Sequence, residues 1–167
     1  MRILGIDPGL TRAGIGLIDV APDGTITPLE WMIITTDHTL PTHARLLELS
    51  RDIEEILDQY KPDTAVVEKL FFATNSKTAM ATAEARGAIL VSVAKCGIEI
   101  VEATPLQLKM SITGDGKADK KQMQMMVQRI LKLHSMPEPA DAADALALAL
   151  YGAYTSASRT LPSLTSR

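Results

Sequence analysis

A chain of 167 residues has the length of one domain, and a 46% apolar content is that of a folded protein rather than a disordered one. A net charge of −3 excludes a bulk basic signature, so any contact with nucleic acid must come from a local basic surface that acidic groups mask in the total. The single cysteine excludes an internal disulfide and fits a reducing compartment, no signal peptide is visible, and the apolar run Ala145 to Ala153 is far short of the roughly 20 residues that span a bilayer, so a cytoplasmic setting without membrane is expected.

The chain opens on Arg2 to Ile6, a short apolar run that delivers Asp7 and stops at Pro8-Gly9. This pattern predicts a buried strand with a carboxylate at its end, then a forced turn. An ionised carboxylate in that position needs a partner. It reads either as a capped turn residue or as a ligand for a divalent cation. Ala13 to Val20 and Thr25 to Thr36 predict two further strands joined by tight turns, which makes an antiparallel meander. Thr11-Arg12, between the first two strands, reads as a solvated turn or as a pair that approaches phosphate.

Leu40 to Tyr60 carries apolar residues at Leu46, Leu47, Leu49, Ile53, Ile56 and Leu57, a helical spacing that Lys61-Pro62 ends. Thr64 to Val67 is a short buried strand, and it too ends in an acid, Glu68. Two such strands side by side would place both acids at one edge of a sheet. Lys69-Leu70-Phe71-Phe72 follows in an expected loop. Its aromatics read as core-capping side chains or as a surface on which bases stack. Asn75 to Lys95 predicts a long helix, apolar on most sides, which suggests burial either inside the fold or, as the limited interior of such a domain favours, partly against a second subunit. Cys96, at its end, is expected to pack. Ile98 to Glu102 predicts a fifth strand.

Thr104-Pro105 starts a short helix to about Ile112, and Asp119 with Gln122 forms a capping-box pattern for a helix to about Leu133. Between Leu108 and Lys132 lie Lys109, Lys117, Lys120, Lys121, Arg129 and Lys132 against Asp115 and Asp119 alone. This is the one basic stretch, and it reads as a phosphate-contacting surface. Pro137 and Pro139 precede the last helix, Ala140 to Tyr154. Asp141 and Asp144 share one face of it among alanines and leucines. Two like charges there repel and lose hydration, and a divalent cation relieves both costs. Residues 155–167 read as a loose tail after a domain of residues 1–154.

Four acids therefore stand out: Asp7, Glu68, Asp141 and Asp144. The three histidines, His38, His43 and His134, are scattered, so all-oxygen ligation by Mg2+ or Mn2+ is expected rather than zinc. Two such ions in one site support in-line phosphoryl displacement.

In this order, Gly5-Ile6-Asp7-Pro8-Gly9, Val67-Glu68-Lys69-Leu70-Phe71 with Asn75, Glu84-Ala85-Arg86-Gly87, and Ala140-Asp141-Ala142-Ala143-Asp144-Ala145 resemble the RuvC-type Holliday junction resolvases. The resemblance implies an α/β, RNase H-like fold: a five-stranded mixed sheet, three strands antiparallel and two parallel, with helices on both faces. It further implies a homodimeric endonuclease that cuts four-way (Holliday) DNA junctions by paired, Mg2+-dependent nicking, acting beside a branch-migration complex. By motif position, Asp7, Glu68, Asp141 and Asp144 are the implied metal ligands and catalytic acids. Phe71 is the implied junction-stacking aromatic, with Phe72 its neighbour. Lys109 and Lys120 fall on implied DNA contacts; Lys117 and Lys121 belong to the same basic surface. Lys69 departs from the glutamine common at that place and reads as an added phosphate contact. The helix with Glu84 and Arg86 is the implied dimer helix. The rival readings are an actin-like ATPase, which would turn over ATP without nuclease activity, a junction-binding module without catalysis, and an RNase H-like nuclease for another substrate such as an RNA–DNA hybrid.

Overall fold

A computed structural model describes residues 1–70 and 76–160, with side chains described from residue 79 in the second stretch and up to residue 157. The strands are β1 (Arg2–Asp7), β2 (Arg12–Val20), β3 (Ile26–Thr35), β4 (Thr64–Glu68) and β5 (Glu99–Ala103). The helices are α1 (Thr42–Tyr60), α2 (Ser76–Lys95), α3 (Pro105–Thr113), α4 (Lys120–Ile130) and α5 (Ala140–Thr160). The sheet order is β3-β2-β1-β4-β5. β1, β2 and β3 pair antiparallel, whereas β4 runs parallel to β1 and β5 parallel to β4. This is the expected mixed sheet.

Period-two alternation divides the strand residues between two cores. Leu4 and Ile6 of β1, Ile15 and Leu17 of β2, and Ala65 and Val67 of β4 face α1 and α2, whose Leu49, Ile53, Ile89 and Val93 are fully buried. Ile3, Ile18 and Val66 face the opposite way, toward α3, α4 and α5, where Leu146, Leu148 and Leu150 lie. The same alternation decides where the acids go. Asp7 is two residues beyond Gly5 and four beyond Ile3, so it belongs to the face covered by α5. Glu68, two beyond Val66, belongs to that face as well. The parallel register ends on Ile6 opposite Val67, which sets the next residues, Asp7 and Glu68, beside one another at the carboxyl ends of adjacent strands.

α5 reaches unusually close to the sheet because glycines clear its path. A β-carbon on Gly5 would run into the Ala145 carbonyl, one on Gly14 into the Asp141 carbonyl, and one on Gly16 into the Leu146 amide. Ala142, Ala145 and Ala149, all fully buried, supply the small helix side of this contact. The helix runs antiparallel to β1, so its N-terminal turn, with Asp141 and Asp144, comes down at the carboxyl end of β1.

Two helix ends and the setting of Cys96 differ from the sequence expectation. α4 stops at Ile130 rather than near Leu133, where Lys132 takes a left-handed φ of 52°. α5 continues through Thr155 to Thr160, into the stretch expected as a loose tail. Thr155 Oγ1 donates to the Tyr151 carbonyl at 3.0 Å, and Gly152 packs on Ile3 and Val66. Residues 161–167 lie outside the described residues. Cys96 is exposed past the end of α2 rather than packed.

Candidate active site

Asp7, Asp141 and Asp144 each offer a carboxylate oxygen within 4.8 Å of the others, close enough for one cation to take an oxygen from each. Glu68 lines the same cleft with Asp7 and Asp144, and Pro105, Leu108, Lys109, Lys120, Met123 and Leu148 complete its walls. The cleft holds about 220 Å³. The four acids singled out in the sequence thus converge, although the first and last are 137 positions apart in the chain.

Their electrostatics are strained in one direction. Burial, then the charges of Glu68, Asp144 and Asp141, push the Asp7 carboxyl up to about 8 against the opposing pull of Lys120. Burial and Asp144 also raise Glu68 above the ordinary carboxylate range. Two cations compensate the acids in part. Lys120 Nζ contacts Asp144 Oδ2 at 2.8 Å, and that bond is the chief reason its ammonium is held above its ordinary value. Arg12 Nε contacts Asp141 Oδ2 at 2.9 Å. Four carboxylates against these two cations leave an excess of negative charge, and an all-oxygen donor set with such an excess fits a hard divalent cation.

Lys120 arrives there because Asp119 caps α4, its side chain accepting from the Gln122 amide at 2.8 Å while Gln122 reaches back to Asp119. Lys109 comes from α3, capped in the same manner by Thr104 and Gln107. Lys117 and Lys121 are exposed beside this region and are not among the residues lining the cleft. Lys69 points elsewhere: its Nζ lies 3.7 Å from Glu102 Oε2. Glu84 is exposed on α2, whereas Arg86 on the same helix is half-buried and turned inward to Glu102 and the Glu68 carbonyl. Phe71, Phe72 and Asn75 lie outside the described residues.

Sequence reasoning singled out Arg12 but not its pairing with Asp141. It is the first residue of β2 rather than part of a free turn, and its partner lies 129 positions away. The turn before it is anchored by Arg45 of α1, which donates to Thr11 Oγ1 and Thr36 Oγ1 at 2.9 Å each, and by the Thr36 hydroxyl donating to the Leu10 carbonyl. No local pattern carries such a pairing.

A five-stranded mixed sheet of this order, with acids grouped at the carboxyl ends of β1 and β4 and on the helix that crosses them, defines an RNase H-like protein. The family profile described as Crossover junction endodeoxyribonuclease RuvC matches residues 3–151. The chain is 45% identical over 150 residues to a crossover junction endodeoxyribonuclease RuvC of Rhodococcus jostii (strain RHA1), covering 90% of this chain and 79% of that one. The Thermus thermophilus RuvC structure superposes with a TM-score of 0.88 at 32% identity, over 96% of this chain and 98% of that one. T. thermophilus RuvC in complex with a Holliday junction substrate gives 0.89 at 32% identity, over 96% and 97%. The chain belongs to the RuvC family. No helix among the described residues is long and apolar enough to cross a membrane.

Proposed function

We propose that this chain is an endonuclease that resolves four-way DNA junctions by paired, symmetric, metal-dependent nicking in DNA recombination and repair. The observation that carries the reading is the convergence of Asp7, Asp141 and Asp144 on one point, with Glu68 and two lysines around it. The same four acids are the proposed ligands and catalytic acids. Mg2+ is the proposed ion, two per site, with Mn2+ able to replace it; when bound it lowers the pKa of a water and stabilises the charge of the leaving oxygen. The chain's own residues do the rest. Lys109 and Lys120 draw the scissile phosphate into the cleft, and release of Lys120 from Asp144 leaves its ammonium free to hold a phosphate oxygen. Lys117 and Lys121 neutralise flanking phosphates on the exposed surface. Phe71 is assigned the stacking role at the opened centre of the junction.

A two-fold dimer matches a junction that is itself approximately two-fold symmetric. α2 supplies the proposed dimer face. Ala85, Ile89 and Val93 on its inner side are buried, whereas Met80 and Val91 on the other are 69% and 56% exposed. Junction DNA and a branch-migration complex are the proposed partners, in a cytoplasmic setting.

The test is cleavage of a synthetic four-way junction with Mg2+ varied, beside a linear duplex and an RNA–DNA hybrid. Paired nicks on the junction in Mg2+, none in EDTA and none on the duplex, support the reading. Preferential cutting of the hybrid would transfer the assignment to another RNase H-like nuclease, and no cutting at all would leave only a binding role.

A further inference from the structure

β4 loses one neighbour just where it matters. Its register with β1 ends at Ile6 opposite Val67, and the residue after Asp7 is Pro8, which has no N–H to carry the ladder on to the Glu68 carbonyl. On the β5 side, the Lys69 amide still donates to the Ala103 carbonyl at 2.8 Å. The Glu68 carbonyl is instead taken by a side chain: Arg86 Nε donates to it at 2.9 Å. The same guanidinium uses Nη2 to hold Glu102 Oε1, and Lys69 Nζ approaches the other oxygen of Glu102 at 3.7 Å. Arg86 is the most covered member of this group, with its side chain 19% exposed against 36% for Glu102 and 47% for Lys69. A planar guanidinium with fixed donor directions can satisfy a carbonyl and a carboxylate at once, which a lysine ammonium on a flexible stem does less well.

From this arrangement we propose that Arg86 is a positioning residue for Glu68, anchored by Glu102, and that it carries the placement of α2 to the active site. The inference rests on the nuclease reading above. Arg86 touches neither the cleft nor the three clustered aspartates. It fixes the main chain from which the Glu68 side chain enters the cleft. Because Arg86 belongs to the helix whose outer face is the proposed dimer contact, displacement of α2 displaces Glu68. Lys69 shares the anchor, so its role at this site is to help hold Glu102 rather than to reach phosphate.

The test compares wild type with Arg86→Ala, Arg86→Lys and Glu102→Gln in four measurements: subunit number by light scattering, Mn2+ affinity without DNA by electron paramagnetic resonance, junction affinity in Ca2+, and single-turnover nicking in Mg2+. Outer partners of metal ligands change affinity or rate by about 10- to 100-fold, and that is the loss expected in Mn2+ affinity and nicking for Arg86→Ala. Subunit number and junction affinity are expected to stay near wild type. Arg86→Lys recovers only part of the loss, Glu102→Gln shows a smaller loss of the same kind, and added guanidinium ion partly restores Arg86→Ala. If Arg86→Ala does not fold, the lysine and glutamine variants carry the comparison. Wild-type Mn2+ affinity and nicking in folded variants would overturn the proposal and leave the nuclease reading intact, as would a loss confined to subunit number. A wild type that neither binds Mn2+ nor cuts junctions would overturn both.

Discussion

The two faces of the sheet are built on opposite principles. Toward α1 and α2, the strands present Leu4, Ile6, Ile15, Leu17 and Val67, and the helices answer with Leu49, Ile53, Leu57, Ile89 and Val93. Side chains of this size bury much apolar area and tolerate small changes in helix position by repacking. Toward the N-terminal half of α5, the strands present Gly5, Gly14 and Gly16, and the helix presents alanine. Contact there is backbone against backbone, so the helix has one place to sit. The bulky face gives the domain its stability, and the glycine face gives the acids their coordinates.

The sharpest break of this contrast is at the acids themselves. Asp7→Asn removes one of the three converging oxygens' charges without changing the volume of the side chain. Nicking is expected to fall on the order of 10³-fold or more, the scale on which fixed electrostatic groups act in catalysis. Junction affinity in Ca2+ or EDTA is expected to hold. A Val91→Glu change on the outer face of α2 should act through a different quantity. It is expected to give monomers that bind the junction but no longer cut both strands in concert, read by light scattering and by the ratio of single to paired nicks.

A paired substitution tests the two faces directly. Gly14→Ala places a methyl where the Asp141 carbonyl now lies, so α5 has to lift at the turn that carries both of its acids. Ile53→Val, on a fully buried residue of the other face, removes one methyl and costs about 1 kcal/mol. Both variants are expected to lose stability, Gly14→Ala the more. Only Gly14→Ala should lose nicking per folded molecule, by roughly 10-fold or more, as expected when catalytic groups shift by a fraction of an ångström. Equal activity in the two variants would mean that the glycine contacts do not set the position of the acids.

The charge on the glycine face adds a pH signature that the bulky face lacks. The Asp7 carboxyl is raised from an ordinary 3.8 to about 8 in the folded protein. Below about 4 both folded and unfolded states hold the proton, and the stability linked to it is fully present. Between about 4 and 8 the unfolded chain releases the proton while the folded protein keeps it, so stability declines as pH rises, by up to about 1.4 kcal/mol per pH unit, and levels off above about 8. Thermal unfolding in EDTA across this range should show a steeper decline in wild type than in Asp7→Asn, where raised Glu68 still contributes a slope of the same sign. Excess Mg2+ should flatten it, because the cation binds the deprotonated acids and stabilises the folded state.

Much of this arrangement was legible in the sequence, for identifiable reasons. Asp7 and Glu68 each end a short apolar run, and an alternation of two residues fixes which face they take. Asp141 and Asp144 sit three apart in an alanine-rich helix. The glycine contacts were not legible, because Gly14 and Gly16 within a strand pattern say nothing about what lies against them. Arg12 and Arg86 were not legible in their roles either, since their partners are 129 and 18 positions distant and only the folded register brings them together.

The end of α5 shows the opposite kind of miss, and it carries the smallest predicted effect. Ser and Thr after Tyr154 read as the start of a loose tail, because such side chains compete with helix hydrogen bonds. In the folded chain the helix is already fixed by Gly152 against Ile3 and Val66, and Thr155 turns its hydroxyl back onto the Tyr151 and Gly152 carbonyls at 3.0 and 3.2 Å. Tertiary contact thus overrides a weak local preference. If that is the physical reason the helix continues, the hydroxyl is a follower and not a cause. Thr155→Ala trades those bonds for a residue with higher helix propensity, by roughly 0.7 kcal/mol at most, and the two changes nearly cancel. The melting temperature is expected to move by no more than about 2 °C. A drop well beyond that would show that the hydroxyl holds the last turns in place, and the preference read from composition would then have been overcome locally rather than by packing.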